Sequence, residues 1–179
     1  PPAAAPAAPA APVKRQLTAE TVVTTAWHAS LTIPASWFVS EAPDVVRVVA
    51  PEQDLEVAFV AVKAADRDAA IAAAWKLISP GFALAVAQAT DLPGRDGWET
   101  MGQVVYVTRT EDSRIVIALA RKLAETWHVT TIDGKLAALG RRGAQINSMV
   151  GDMKVAGLDA DEQAFAGKSP NLDAAHLQR

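Results

Sequence analysis

The sequence predicts an α+β domain: an antiparallel β-sheet of about six to eight strands covered by two main helices. Three observations predict it. Apolar residues alternate with polar ones along much of the chain. Two windows, near 68–78 and 135–150, carry helical spacing instead. Short polar turns separate the later strands, so neighbours pair antiparallel.

From Thr24 to Ile33, Trp27, Ala29, Leu31 and Ile33 fall on one face, while Ala26, His28, Ser30 and Thr32 take the other. That predicts one half-buried strand. Pro34 ends its ladder, and Trp37-Phe38-Val39 starts a short second strand. Val45–Ala50 and Leu55–Val62 read as strands joined by the Pro51-Glu52-Gln53-Asp54 turn. Asp66 or Asp68 caps a helix by accepting from its free N–H groups. Ile71, Ala74, Trp75 and Ile78 follow on one helical face, and Ser79-Pro80-Gly81 ends it. Leu84–Ala89 reads as a strand, and Asp91–Gly97, with Pro93 and Gly94, as a loop. Trp98–Thr108, Arg114–Lys122 and Trp127–Ile132 complete the sheet. Ile115–Ala120 is apolar on both faces, which places its strand centrally. A last helix spans about 135–150, with Leu136, Leu139, Gly143, Ile146 and Val150 as its buried stripe. Gly140 and Gly143 lower helix propensity and are expected to let that helix lie close on the sheet.

Half of the 179 residues are hydrophobic, which excludes a wholly disordered chain. Seventeen Lys and Arg against twenty Asp and Glu leave a net charge of −3. That balance argues against a dedicated nucleic-acid binder. The chain has no cysteine, so disulfides, thiolate catalysis, iron–sulfur clusters and cysteine zinc sites are excluded. No apolar run reaches the roughly 18 residues of a membrane span. The first twelve residues are only Pro and Ala and favour extended polyproline II, the conformation of a semi-rigid tether. Such a tether is expected after export processing or a lipid anchor.

The search for chemistry yields no catalytic residue. Ser36, Ser79, Ser113 and Ser148 have no lysine three residues on, and there is no Gly-x-Ser-x-Gly. His28, His128 and His176 each lack a chelating neighbour at helical spacing. Asp159, Asp161 and Glu162 do not keep calcium-loop spacing and read as a solvated turn. No phosphate-cradling glycine pattern occurs. No cofactor and no metal are therefore expected. His28 and His128 read as structural, and Arg141 and Arg142 as a solvated helix face. The five tryptophans are the least generic feature. Core packing explains them first. A surface for a partner is the second reading, with Trp37, Trp98, Phe165, Leu172 and Leu177 as its candidate contacts.

Leu31-Thr-Ile-Pro-Ala-Ser-Trp37, the strand pair ending Leu55-Glu-Val-Ala-Phe59, the Asp68-to-Trp75 helix, Asp96-Gly-Trp98 and the C-terminal helix follow one another in order. This order resembles the PsbP-like (DcrB-like) α/β/α sandwich of small exported bacterial proteins. Phe165-Ala-Gly-Lys168 and Leu172-Asp-Ala-Ala175 are similar to the linker that leads into the catalytic domain of exported serine hydrolases of the β-lactamase/penicillin-binding type. That resemblance implies an N-terminal accessory domain, with 1–16 as tether, 17–153 as the folded unit and 154–179 as linker. It implies a periplasmic or secreted location and a catalytic partner beyond Arg179, packed on by this domain to shape substrate access or assembly. No catalytic role carries over, because the motif bearing the activity, Ser-x-x-Lys, is absent. The alternatives are a free-standing PsbP-like binding or assembly protein and, third, a small hydrolase built around His28 or His128.

Overall fold

A computed structural model describes residues 12–158. Its strands are β1 Arg15–Gln16, β2 Thr21–Thr24, β3 Ala29–Ile33, β4 Phe38–Glu41, β5 Val45–Val49 and β6 Leu55–Lys63. Helix α1 (Arg67–Ile78) follows, then β7 Val86–Pro93, β8 Thr100–Tyr106, β9 Arg114–Leu123 and β10 Thr126–Lys135. Helix α2 (Leu136–Gly151) and β11 (Lys154–Val155) close the order.

Eight strands form one antiparallel sheet, ordered β1-β4-β5-β6-β10-β9-β8-β7, and β11-β3-β2 form a second, small one. Strict alternation along each strand sends odd and even residues to opposite faces. Ala58 and Val60 on β6, with Val116, Ala118 and Ala120 on β9, pack under α1 through Ala70, Ile71, Ala74 and Trp75. Val57 and Phe59 take the other face and join Leu31, Ile33, Trp37, Ile146 and Met149. The sheet is thus the middle layer, between α1 and a layer made of α2 and the small sheet. Central β9 is covered on its α1 face, but Ile115, Ile117 and Leu119 on the other face are only half-buried, where the two-sided apolar run predicts cover on both.

Helix α1 starts where the sequence places it: Asp66 is the N-cap, and its carboxylate accepts from the Ala69 N–H at 2.8 Å. Ser79 ends it, with Arg47 donating to the Ile78 carbonyl at 2.7 Å.

Four expectations change. The predicted 24–33 strand is a hairpin, β2 and β3, whose turn holds His28 at φ 62°. Thr25 makes that turn: its N–H and carbonyl bond Ala29 and His28, and its hydroxyl accepts from Ala29. The predicted 91–97 loop starts later, because β7 runs on to Pro93 at the sheet edge, where a missing N–H costs little. The buried residues of α2 are Ala138, Ile146 and Met149, while Leu136 is exposed. A Cβ added at Gly140 or Gly143 would meet nothing within 4 Å, so close approach does not explain either glycine.

The folded unit also reaches beyond 17–153. β1 pairs with β4 inside the expected tether, and β11 pairs with β3 inside the expected linker. Val155 and Leu158 are buried in the core. Most of the tether (1–11) and of the linker (159–179), with Phe165, Leu172, Leu177 and His176, lies outside the described residues.

Candidate functional site

The most chemically unusual place in the described chain is a buried cluster on the α2 face. It comprises Trp98, Arg121 and His128, which are 7%, 3% and 4% exposed. Arg121 on β9 and His128 on β10 stand directly opposite in the ladder, so their side chains share one face. Trp98 is delivered by a turn in which Asp96 and Gly97 both have positive φ, and its N–H bonds the Arg95 carbonyl. The φ of 88° at Gly97 favours glycine, and a Cβ there would push the Leu158 side-chain tip aside.

The Arg121 guanidinium lies 4.6 Å from the Trp98 ring centre, and the His128 ring meets Trp98 edge-on at 5.4 Å. Arg121 donates to the Val150 carbonyl at 3.0 Å and approaches the Met153 sulfur at 3.8 Å. Among the described residues no carboxylate pairs with it. Its Nε and the Nδ1 of His128 are buried without a hydrogen-bond partner. Burial alone pulls the Arg121 pKa down to about 10, so it stays cationic at neutral pH. Burial first, and the Arg121 charge second, depress His128 to about 4, so its ring is neutral there. The negative end of α2 and the indole face offset part of the cost of the buried cation. The cluster therefore fastens the last turn of α2 and the start of β11 to the sheet. It is sealed, and its chemistry is that of a cation and a neutral histidine held dry.

Two open clefts flank α1. One, of about 370 Å³, is walled by Trp75, Phe82, Val104 and Tyr106. Trp75 stacks on Phe82 at 3.7 Å and donates from Nε1 to the Tyr106 hydroxyl at 2.9 Å. Burial raises the Tyr106 pKa. The other, of about 860 Å³, lies past the end of α1 over Thr131. Arg47–Glu56 at 2.8 Å and Arg114–Asp133 at 2.7 Å cross its floor. Both arginines there face an acid, while Lys14 and Lys135 at the rim donate to the Gln53 side chain and the Asp112 carbonyl.

The candidate contacts fall unevenly. Trp37 is fully buried, and its Nε1 donates to Gln145 of α2 at 3.0 Å, which leaves it no surface to offer a partner. Trp98 belongs to the sealed cluster. His28 is exposed at the hairpin turn and His128 is buried against the large sheet, so the two occupy different layers. No group of three or more His, Asp or Glu that would hold a metal exists among the described residues. Arg141 and Arg142 are not merely solvated. They clasp Asp54 at 2.7 Å and Glu52 at 2.5 Å, tying α2 to the β5–β6 turn. The Arg142 hydrogen bond lowers the Glu52 pKa. Sequence reading missed the Arg121–His128 pairing, although a lone arginine ending the apolar run 115–120 was its signal.

A central antiparallel sheet between α1 and a layer of α2 with a small sheet defines a PsbP-like α/β/α sandwich. The chain is similar in fold to cyanobacterial PsbP (CyanoP) from Synechocystis sp. PCC 6803 in its solution structure. The TM-score is 0.51, over 86% of this chain and 98% of that one, at 11% identity. At that identity the likeness is one of fold. No protein-family model matches the sequence, and no curated protein matches it. Among the described residues, no helix is long and apolar enough to cross a membrane.

Proposed function

We propose that this chain is a non-catalytic accessory or binding domain, exported to the periplasm or secreted. In its finer form, it serves a serine hydrolase of the β-lactamase/penicillin-binding type. The observation that carries the reading is a lopsided cover. Helix α2 lies over β10, β6 and β3. On that same face Val105, Ile117 and Leu119 of β8 and β9 are only half-buried, with Leu136 exposed at the start of α2. An apolar strip left half-open beside α2 is what a domain presents to a packing partner. The Phe165-Ala-Gly-Lys168 and Leu172-Asp-Ala-Ala175 stretches favour a hydrolase as that partner.

The test is acylation of the native gene product by a fluorescent penicillin. The reading expects label on a serine outside residues 1–179, in the same polypeptide or in a chain co-purifying at fixed stoichiometry. It fails if the native product ends at Arg179 and purifies alone, or if the label sits on a serine within 1–179.

One observation favours the free-standing binding protein instead: the cleft between Trp75, Phe82 and Tyr106. Its aromatic walls suit a small apolar ligand. Saturable quenching of Trp75 fluorescence by such a ligand, lost in Tyr106→Ala, supports that reading; no quenching removes it.

A further inference from the structure

We infer that the chain forms a two-fold dimer by pairing β7 with β7 of a second copy, which extends the large sheet across both molecules. The inference is independent of the function proposed above. β7 is the outer strand of the sheet, eight residues long, with every residue exposed except Leu92. An edge of that length offers a row of free N–H and C=O groups, and proteins that stay monomeric blunt such edges with charge, brevity or bulges. The opposite edge, β1, is blunted: it has two residues and carries Arg15, with Lys14 just before it. β7 is not. It carries no lysine or arginine, and its one acid, Asp91, is paired with Arg67 of α1. Its register irregularity lies at one end, between Val86 and Gln88, and its proline at the other, Pro93. The stretch between them pairs regularly with β8.

The stretch is also self-complementary. Cross-strand neighbours in an antiparallel pair share a face, so a two-fold axis must pass through a residue that faces itself. With Thr90 on the axis, Thr90 meets Thr90, a favourable pair. Ala89 then meets Asp91, and Gln88 meets Leu92. No acid faces an acid, and the small alanine leaves Asp91 room to keep Arg67. Thr90 and Leu92 project to the α2 face and Ala89 and Asp91 to the α1 face, as their partners Gln103, Met101, Val104 and Gly102 require.

The chain contains no cysteine, which allows a clean covalent test. Directly opposed residues in an antiparallel pair have Cα atoms about 4.5–5.5 Å apart, within disulfide reach. The full 179-residue protein is expected to sediment as a dimer in the micromolar range. Thr90→Cys is expected to give a disulfide-linked dimer at least about tenfold faster than Val22→Cys, whose position on β2 is also exposed. Thr90→Lys, which sets two like charges on the axis, is expected to return the monomer with unchanged thermal unfolding. A wild-type monomer throughout that range overturns the proposal. So do equal cross-linking rates for the two cysteine variants, a dimer indifferent to Thr90→Lys, and assemblies larger than a dimer.

Discussion

The two flanks of the large sheet are built to different standards. On the β4–β5–β6–β10 side the α2 face is covered and α1 covers the other as far as the cleft over Arg47 and Val49, and Trp37, Val48, Val57 and Val60 are 0–1% exposed. On the β8–β7 side cover thins outward until β7 is exposed on both faces. The closed flank holds the large buried side chains and the clasp between α2 and the β5–β6 turn. The open flank holds a strand attached by its ladder to β8, the Arg67–Asp91 contact and the packing of Leu92 on the core. Dense packing and exposed strand edge are thus divided by position along one sheet.

Substitutions that test this division differ in size. Trp37→Ala removes a fully buried indole and strands Gln145, and is expected to cost about 4 kcal/mol in denaturant unfolding. A cost below about 1 kcal/mol would mean the closed flank is not where stability resides.

The buried histidine comes next. An unfolded histidine takes its proton near pH 6.5 and the folded His128 only near 4. Between those values the unfolded state binds more protons, so stability is complete above pH 6.5 and falls as pH drops towards 4. The loss is expected to be on the order of 3 kcal/mol. His128→Gln, followed by unfolding across that window, is expected to flatten the profile there. An unchanged profile would place the pH dependence in the carboxylates.

Arg121→Met replaces a buried cation lacking a carboxylate with an apolar chain of similar length. It is expected to move stability at pH 7 by no more than about 1–2 kcal/mol in either direction, far less than an ordinary broken buried ion pair. A loss above about 3 kcal/mol would mean that a carboxylate holds Arg121 in solution. Arg142→Ala loosens the clasp to Glu52 and is expected to cost about 0.5–1 kcal/mol, shrinking with added salt. Gln88→Ala on the open flank is the smallest: within about 0.5 kcal/mol in unfolding of the dissociated chain.

The strands of the closed flank were legible because period-two alternation is enforced wherever one face must be buried. The β2–β3 hairpin was not, for a specific reason. Val23, Thr25, Ala29, Leu31 and Ile33 are all buried, so the parity continues straight through the turn. No Gly, Pro or Asn marks it; His28 takes the positive φ. β7 was cut short at Ala89 because Pro93 and Gly94 announce a loop, yet an edge strand tolerates proline. The expected stripe of α2 holds at Leu139, Ile146 and Val150, which pack on the core beside Ala138 and Met149, whereas Leu136 sits in the first turn, outside the packed length. Nothing in a linear reading pairs Arg121 with His128; that needs the β9–β10 register. Trp98 joins them through the Asp96–Gly97 turn.

The packing around Gly102 ties three distant positions together. The Arg67 stem lies over β8 in a slot that a Cβ at residue 102 would block, and from there its guanidinium reaches Asp91. Across related sequences these positions should therefore vary as one heritable unit. A side chain at 102 is expected alongside a short residue at 67, and a lineage that loses that arginine leaves the carboxylate at 91 unmatched. In such a lineage the edge would regain the charge that discourages self-pairing, so a change beneath a helix would alter which molecules meet at a strand.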